Sequence, residues 1–353
     1  MNIRSILMAF FLLYGSHGYG AEKCTIQEFK PGKVENDYFL KLSEPLGRGA
    51  MATVYEGTQK TVEKKRVAIR RIALATKPAS FIKDELQGFF FQKKLTHPNL
   101  LPVHDIYKTH LHLDAILPLM EGGELFDLVV EHKALPHAVA EQYLAYILDA
   151  IAYIHEQGLI FRDLKPENLM FQYKLPPGQK YPKGSDIRLG DFGFTRKSSD
   201  KKGLACRCGT FSYMAPESFC YEREMERDCS YEVDIWAIGC TFYTMVHGHL
   251  MFEIRKYESM YLLFQRIQTR NYTLTCCQRQ HTTPEYTQFF TDIFNAPGDK
   301  TPRMRPSCRE IQRKYPWAQI PGPASAPPHE SSDLRHRLST LQLSSTPPNS
   351  SIK

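Results

Sequence analysis

Apolar positions recur along this chain in two rhythms. Through residues 37 to 120 the spacing is that of extended backbone. Phe39-Leu40-Lys41-Leu42, Val54-Tyr55-Glu56-Gly57, Arg66 to Ile72 and Leu111 to Leu117 read as strands, the second and third as a pair. Phe81 to Leu95 stands among them as a helix. From Ala138 to Gln157 the period lengthens, with Tyr143, Leu144, Ile147, Leu148, Ile151, Ala152 and Ile154 on one side. An apolar face that broad predicts a buried central helix. Tyr173 to Asp186, rich in Pro, Gly and Lys, reads as a surface hairpin insertion. Composition turns to Pro, Ser, Thr and His after Pro321, and residues 317–353 read as a disordered tail.

One polar stretch breaks the apolar pattern. It runs Ile160-Phe161-Arg162-Asp163-Leu164-Lys165-Pro166-Glu167-Asn168, between the apolar runs Ile147 to Ile154 and Leu169 to Phe171. A polar knot between apolar walls is a loop held by a packed scaffold, where binding and catalytic groups tend to sit. Its residue types suit phosphoryl transfer. Asp163 can accept a proton from an attacking hydroxyl, Lys165 can neutralise charge on a phosphoryl group, and Asn168 can hold a metal through its amide oxygen. Taken alone, the stretch reads better as a polar turn closing a helix.

Other short motifs surround it. Downstream come Asp191-Phe192-Gly193, Ala215-Pro216-Glu217 and Asp234-Ile235-Trp236. Upstream are the glycine-rich Leu46-Gly47-Arg48-Gly49-Ala50-Met51-Ala52-Thr53-Val54 and the strand Val67-Ala68-Ile69-Arg70. Each is weak alone, but in this order and spacing the set resembles the eukaryotic protein kinases over residues 38 to 316. The resemblance implies an α+β, bilobal fold. Its small β-sheet lobe with one helix would span 38–119 and its larger, mainly helical lobe 120–316.

The resemblance also implies ATP and Mg²⁺ as cofactors and a protein as substrate or regulatory partner. Asp163, Lys165 and Thr210 take catalytic places, and Asn168 and Asp191 hold the metal. Leu46, Gly47, Gly49, Val54, Ala68, Arg70, Pro118, Met120 and Glu124 surround the nucleotide, with Leu117 beside the purine. Pro118 keeps its carbonyl and Met120 its amide for adenine. Glu124 stands where a carboxylate meets ribose, though a carboxylate capping a helix start reads the same way. Lys165, two residues after Asp163, resembles the serine/threonine class. Arg305 resembles the arginine that pairs with Glu217.

The chain departs from the family pattern at several positions. Arg70 replaces the lysine that grips the α- and β-phosphates, a planar fork in place of a point charge. Counting back from His97-Pro98-Asn99, the glutamate that should pair with it falls at Gly88, with Glu85 about one helical turn earlier. Phe161 replaces a histidine, Ala52 a third glycine, and Cys206 a phosphorylatable threonine. By the same resemblance the activation segment runs from Asp191 to Glu217; Ser198 and Ser199 are alternative acceptors in it, and otherwise it needs no phosphate.

Composition narrows the rest. With 42% hydrophobic and 12% aromatic residues the chain is globular, and a net charge of +7 without basic runs among stacking aromatics points away from nucleic acid. Met1 to Arg4 carries one positive charge, Ser5 to Tyr14 is almost wholly apolar, and Gly18-Tyr19-Gly20 offers small residues for cleavage. Residues 1–20 therefore have the layout of a secretory signal peptide, too short to span a bilayer. Residues 21–37 follow as an extension. A packed or uncleaved apolar extension on a cytoplasmic protein is the competing reading. The nine cysteines, Cys206/Cys208 and Cys276/Cys277 among them, lack zinc-finger spacing, and an odd count leaves at least one unpaired. Asn271-Tyr272-Thr273 and Asn349-Ser350-Ser351 are glycan acceptors only on the secretory route. Three functions stay open: an active serine/threonine kinase (a transferase), a nucleotide-binding pseudokinase that scaffolds or regulates, and a pure interaction module. The sequence leaves the oligomeric state unknown.

Overall fold

A computed structural model describes residues 29–49, 52–200, 209–219, 230–252, 258–259, 262–263, 265, 267, 282–294 and 305–320. The signal layout, the paired cysteines, both glycan triplets and the tail from Pro321 lie outside the described residues.

The first helical turn among the described residues is α1 (Val34–Asp37), whose Val34 is fully buried. Six strands follow: β1 (Tyr38–Leu40), β2 (Gly47–Arg48), β3 (Thr53–Gln59), β4 (Arg66–Ala73), β5 (Asp105–Lys108) and β6 (His112–Pro118). They form one antiparallel sheet in the order β1-β3-β4-β6-β5, with β2 paired to β3. The expected pairing of the second and third strands is present, with Val54 opposite Arg70. In β4 the residues Val67, Ala68 and Ile69 are all buried, so this central strand is covered on both faces.

Helix α2 (Ala79–Lys94) packs Leu86, Phe89 and Phe90 into the same apolar cluster as Ala68, Ile72, Leu113, Ala115 and Leu117. The sheet and this helix make the smaller lobe.

The larger lobe is built on helices. α3 (Leu125–His132) leads to α4 (His137–Glu156), whose predicted apolar face is buried from Ala140 to Ile154. α4 stops at Gly158, which at φ +71° takes the left-handed turn past a helix end that a side chain disfavours. α5 (Glu232–His247) is buried on every side from Val233 to Val246, the pattern of a helix at the centre of a body. α6 (Pro284–Phe294) and α7 (Cys308–Lys314) close the lobe, the latter capped by a Ser307–Glu310 capping box.

Two short antiparallel pairs contribute to the larger lobe's apolar core: β7 (Leu159–Ile160) with β10 (Arg196–Lys197), and β8 (Leu169–Phe171) with β9 (Ile187–Leu189). The α+β, two-lobed arrangement expected from the sequence is the one observed.

The folded body reaches further than the expected limits of 38 and 316. Lys30 bridges to Tyr107, and Val34 is buried. At the other end Trp317 stacks on Phe242 at 5.5 Å and Ala318 is fully buried. These apolar contacts lie beyond the motifs from which the limits were read. The insertion between β8 and β9 has exposed residues at its tip. It folds back through Pro182, whose carbonyl accepts from the Tyr143 hydroxyl at 2.8 Å.

Candidate active site

The polar stretch at 160–168 is held from below by α5. Asp234, fully buried, accepts from the Phe161 N–H at 2.8 Å and the Arg162 N–H at 2.7 Å. His155 Nε2 lies 2.8 Å from the same carboxylate. Arg162 adopts φ +75°, a conformation costly for a non-glycine residue, and the two bonds to Asp234 help hold it there. The ring of Phe161 is buried edge-on against Phe192 at 5.1 Å. It fills the packing part of the histidine's expected place and offers no polar atom.

Three other predicted residues gather around the carboxylate of Asp163 in the loop so anchored. Lys165 Nζ donates to Asp163 Oδ2 at 2.7 Å and to the Thr210 hydroxyl at 2.8 Å. The Thr210 N–H donates to Asp163 Oδ1 at 3.1 Å, with its hydroxyl 3.3 Å from that oxygen. Asn168 Nδ2 donates to Asp163 Oδ2 at 3.0 Å and to its carbonyl at 2.8 Å. Asp163 is 5% exposed, so its charge is met by fixed donors rather than bulk water. Burial alone would lower the Lys165 ammonium; Asp163 and Glu167 outweigh it, and its pKa lies above the ordinary lysine value. A small cavity beside this network is lined by Arg162, Asp163, Thr210, Tyr213, Met214 and Ser218.

A second charged group stands opposite. Arg70, from β4, donates through Nη1 and Nη2 to both oxygens of Glu85, the second at 3.2 Å. Its Nη2 also lies 3.6 Å from Asp191. Burial opposes the guanidinium charge, but Glu85 and Asp191 hold its pKa above the ordinary arginine value.

This corrects the assignment of the partner position to Gly88. The count back from His97 presumed a fixed distance between helix and loop. In the structure the acidic partner is Glu85, three residues earlier on the same helix face. A Cβ on Gly88 would lie 2.5 Å from the Phe192 carbonyl oxygen and 2.9 Å from the Gly193 nitrogen. Lacking one, Gly88 lets α2 lie directly against the Asp191-Phe192-Gly193 turn, and the long arginine reaches the acid one turn away.

The remaining predicted residues lie on strands β2, β3, β4 and β6 and on the segments that flank them. Gly47 in β2 pairs with Val54 in β3, and Leu46 beside it is half exposed. Among the described residues nothing lies within 4 Å of a Cβ placed on Gly47, and Gly49 would meet only the Ala52 carbonyl at 3.6 Å. Internal packing therefore does not demand glycine there, while close approach of backbone amides to phosphates does.

Val54, Ala68, Leu117 and Met120 share one apolar cluster, a suitable wall for a purine. Ala68 pairs with Leu117 and Val67 with Pro118. Glu124 precedes α3 and makes no side-chain cap bond, which counts against the capping reading.

For Mg²⁺ the donor chemistry fits. Asp191, 44% exposed, and the amide oxygen of Asn168 are hard oxygen ligands. The Asn168 nitrogen is already engaged by Asp163, which leaves the oxygen for a cation. Among the described residues no cluster of three His, Cys, Asp or Glu forms a self-contained metal site. A cation here would complete its shell with phosphate and water oxygens.

Residues 40–318 match the sequence profile of the protein kinase domain. The chain belongs to the protein kinase family. Over 250 residues it is 32% identical to a probable myosin light chain kinase of Dictyostelium discoideum, covering 70% of this chain and 65% of the relative. It is 32% identical to calcium/calmodulin-dependent protein kinase type IV of Mus musculus over 60% of this chain and 41% of the relative. To calcium/calmodulin-dependent protein kinase type 1 of Macrobrachium nipponense it is 34% identical over 67% of this chain and 65% of the relative. The matched part of the chain covers less than two thirds of the length of each of these relatives. Among the described residues no helix is long and apolar enough to cross a membrane.

Sequence reasoning passed over three features of this kinase cleft. Asp84, next to Glu85, pairs with Arg196 at 2.8 Å, and no local signal links positions so far apart. The close fit of Gly88 against the Phe192 carbonyl is the second. Glu167, beside Asp163 in the loop, keeps a buried Oε2 without a hydrogen-bond partner; burial raises its carboxyl above the ordinary glutamate value.

Proposed function

We propose that the protein is an ATP-dependent serine/threonine kinase that transfers the γ-phosphoryl group to a hydroxyl on a protein substrate. The observation that carries this reading is the Asp163 carboxylate, oriented by Lys165, Thr210 and Asn168 in one network. Asp163 accepts the proton of the attacking hydroxyl as its oxygen bonds to the γ-phosphorus and the bond to the bridging oxygen breaks, releasing ADP. Lys165 sits within 2.7 Å of that carboxylate and offsets negative charge on the moving phosphoryl group. Asn168 and Asp191 would hold Mg²⁺, which neutralises phosphate charge when bound. Arg70 takes the lysine's place toward the phosphates, anchored by Glu85.

The test is radiolabelled transfer to a generic protein substrate, with Asp163→Asn as control. Wild type is expected to exceed the variant by at least about a hundredfold, the usual scale of a positioned proton acceptor. Equal rates would remove the reading.

One observation favours a nucleotide-binding pseudokinase as the second reading: Arg70 lies against Asp191, the carboxylate a metal would need. In that case Mg²⁺-ATP raises the melting temperature while no label moves. An interaction module would show neither response. We further infer entry into the secretory route from the layout of residues 1–20, a cytoplasmic location being the alternative. Sequencing the mature N-terminus decides between them.

A further inference from the structure

Helix α2 is held by a second ion pair besides Arg70–Glu85. Consecutive helical residues diverge by about 100°, so Asp84 and Glu85 leave the helix in different directions. Asp84 Oδ1 lies 2.8 Å from Nη2 of Arg196 in β10. The Arg196 side chain is only 7% exposed, and a buried guanidinium needs a counter-charge.

The other Arg196 nitrogen, Nη1, donates to the Thr195 carbonyl at 2.8 Å and the Gly193 carbonyl at 3.2 Å. Its backbone pairs with Ile160, directly before the catalytic loop. One residue thus joins three parts: its guanidinium holds α2 and the turn that carries Asp191, and its backbone pairs with the strand that leads to Asp163. Burial moves the Asp84 carboxyl above the ordinary aspartate value, against the pull of Arg196, Lys83 and Arg162. Asp84 therefore feels cations from its own helix, from the segment after Gly193 and from the catalytic loop.

We propose that Asp84 is a positioning residue: from α2 it supplies a fixed negative charge to Arg196, so that helix, metal turn and catalytic loop assemble without a phosphate on the activation segment. A phosphoserine or phosphothreonine would bring about two negative charges to such arginines only after modification. Asp84 brings one permanently. The proposal rests on the kinase reading for its rate measurement alone.

The test uses the full chain as wild type, Asp84→Asn and Asp84→Glu, each before and after phosphatase treatment verified by intact mass. Hydrogen exchange is followed over residues 79–94 and 191–197, and transfer is measured against Asp163→Asn. Dephosphorylated wild type should match untreated wild type. Asp84→Asn should exchange at least tenfold faster in both segments and lose at least tenfold in kcat with KM for the protein substrate little changed. Asp84→Glu keeps the charge, guards against a simple folding defect, and should recover at least half of both losses.

The proposal is overturned if Asp84→Asn exchanges like wild type, if Asp84→Glu is as impaired as Asp84→Asn, or if dephosphorylation alone reproduces the Asp84→Asn pattern. Should wild type transfer no label, the kinase reading fails while the exchange measurement still decides the role of Asp84.

Discussion

Arg70 places a planar charge between two carboxylates, and its consequences are set by reach. Two nitrogens meet Glu85, and one lies 3.6 Å from Asp191. A lysine offers one nitrogen on a different stem and loses at least one of these contacts. Arg70→Lys is therefore expected to lower stability by about 1–3 kcal/mol, the range of a charged hydrogen bond, and to leave transfer no faster. Urea denaturation and single-turnover labelling check both parts; a rate gain of tenfold or more would show that the arginine, not the helix position, limits the reaction. Arg70→Ala goes further, leaving the 7%-exposed Glu85 side chain unpaired, and should cost about 3–5 kcal/mol. At this scale Asp163, Lys165, Asn168 and Asp191 were legible as candidates, because each sits inside a short contiguous motif. The Arg70 partner was not, because it depends on where a helix lies, and a residue count cannot register a one-turn shift.

Helix α2 is the element on which the cleft depends. It carries Asp84, Glu85 and Gly88 toward three different neighbours. By propensity alone Gly88→Ala should stabilise a helix by about 1 kcal/mol. Here the added Cβ would stand 2.5 Å from a backbone oxygen that cannot rotate away. The net effect is expected to be a loss of about 1–3 kcal/mol, typical of overpacking, with weaker protection of the Asp191 turn in hydrogen exchange. A variant more stable than wild type would show that helix and turn are not in tight contact.

The α6–α7 contact offers a pH test. Asp292 on α6 is reached by Lys314 and by the Tyr315 hydroxyl at 2.6 Å. Burial works against its charge, but Lys314, Tyr315 and Gln288 outweigh it and hold the pKa below the ordinary aspartate value of 3.8. A depressed carboxylate stabilises the fold above the unfolded value and loses that contribution as pH falls through the folded one. Asp292→Asn should thus cost about 1–3 kcal/mol at pH 7, and the gap should close as pH falls below 3.8. Urea titrations at neutral and acid pH measure it.

Across the whole molecule the two lobes meet through short strands and backbone bonds. The Leu101 N–H donates to the Leu189 carbonyl at 2.9 Å, and Asn99 Nδ2 to the Ile187 carbonyl at 3.0 Å. Behind them Arg305 pairs with Glu217 and lies 5.0 Å over the Trp236 ring, tying the activation segment's end to α5. A ligand that bridges the lobes should stabilise both together. Mg²⁺-ATP at a hundred times its Kd is expected to add about 2.7 kcal/mol, or roughly 5 °C in Tm. Omitting Mg²⁺ or substituting Asp191→Asn should remove most of that shift in a thermal melt. The sequence by itself determined the fold class, the lobe order and the identity of the chemical groups, since periodicity and motif spacing are local properties that survive without coordinates. Only the tertiary structure decided which acid meets Arg70, why Gly88 is tolerated, and that Asp84 reaches Arg196. Those outcomes depend on the distance between elements far apart in the chain, and packing sets that distance.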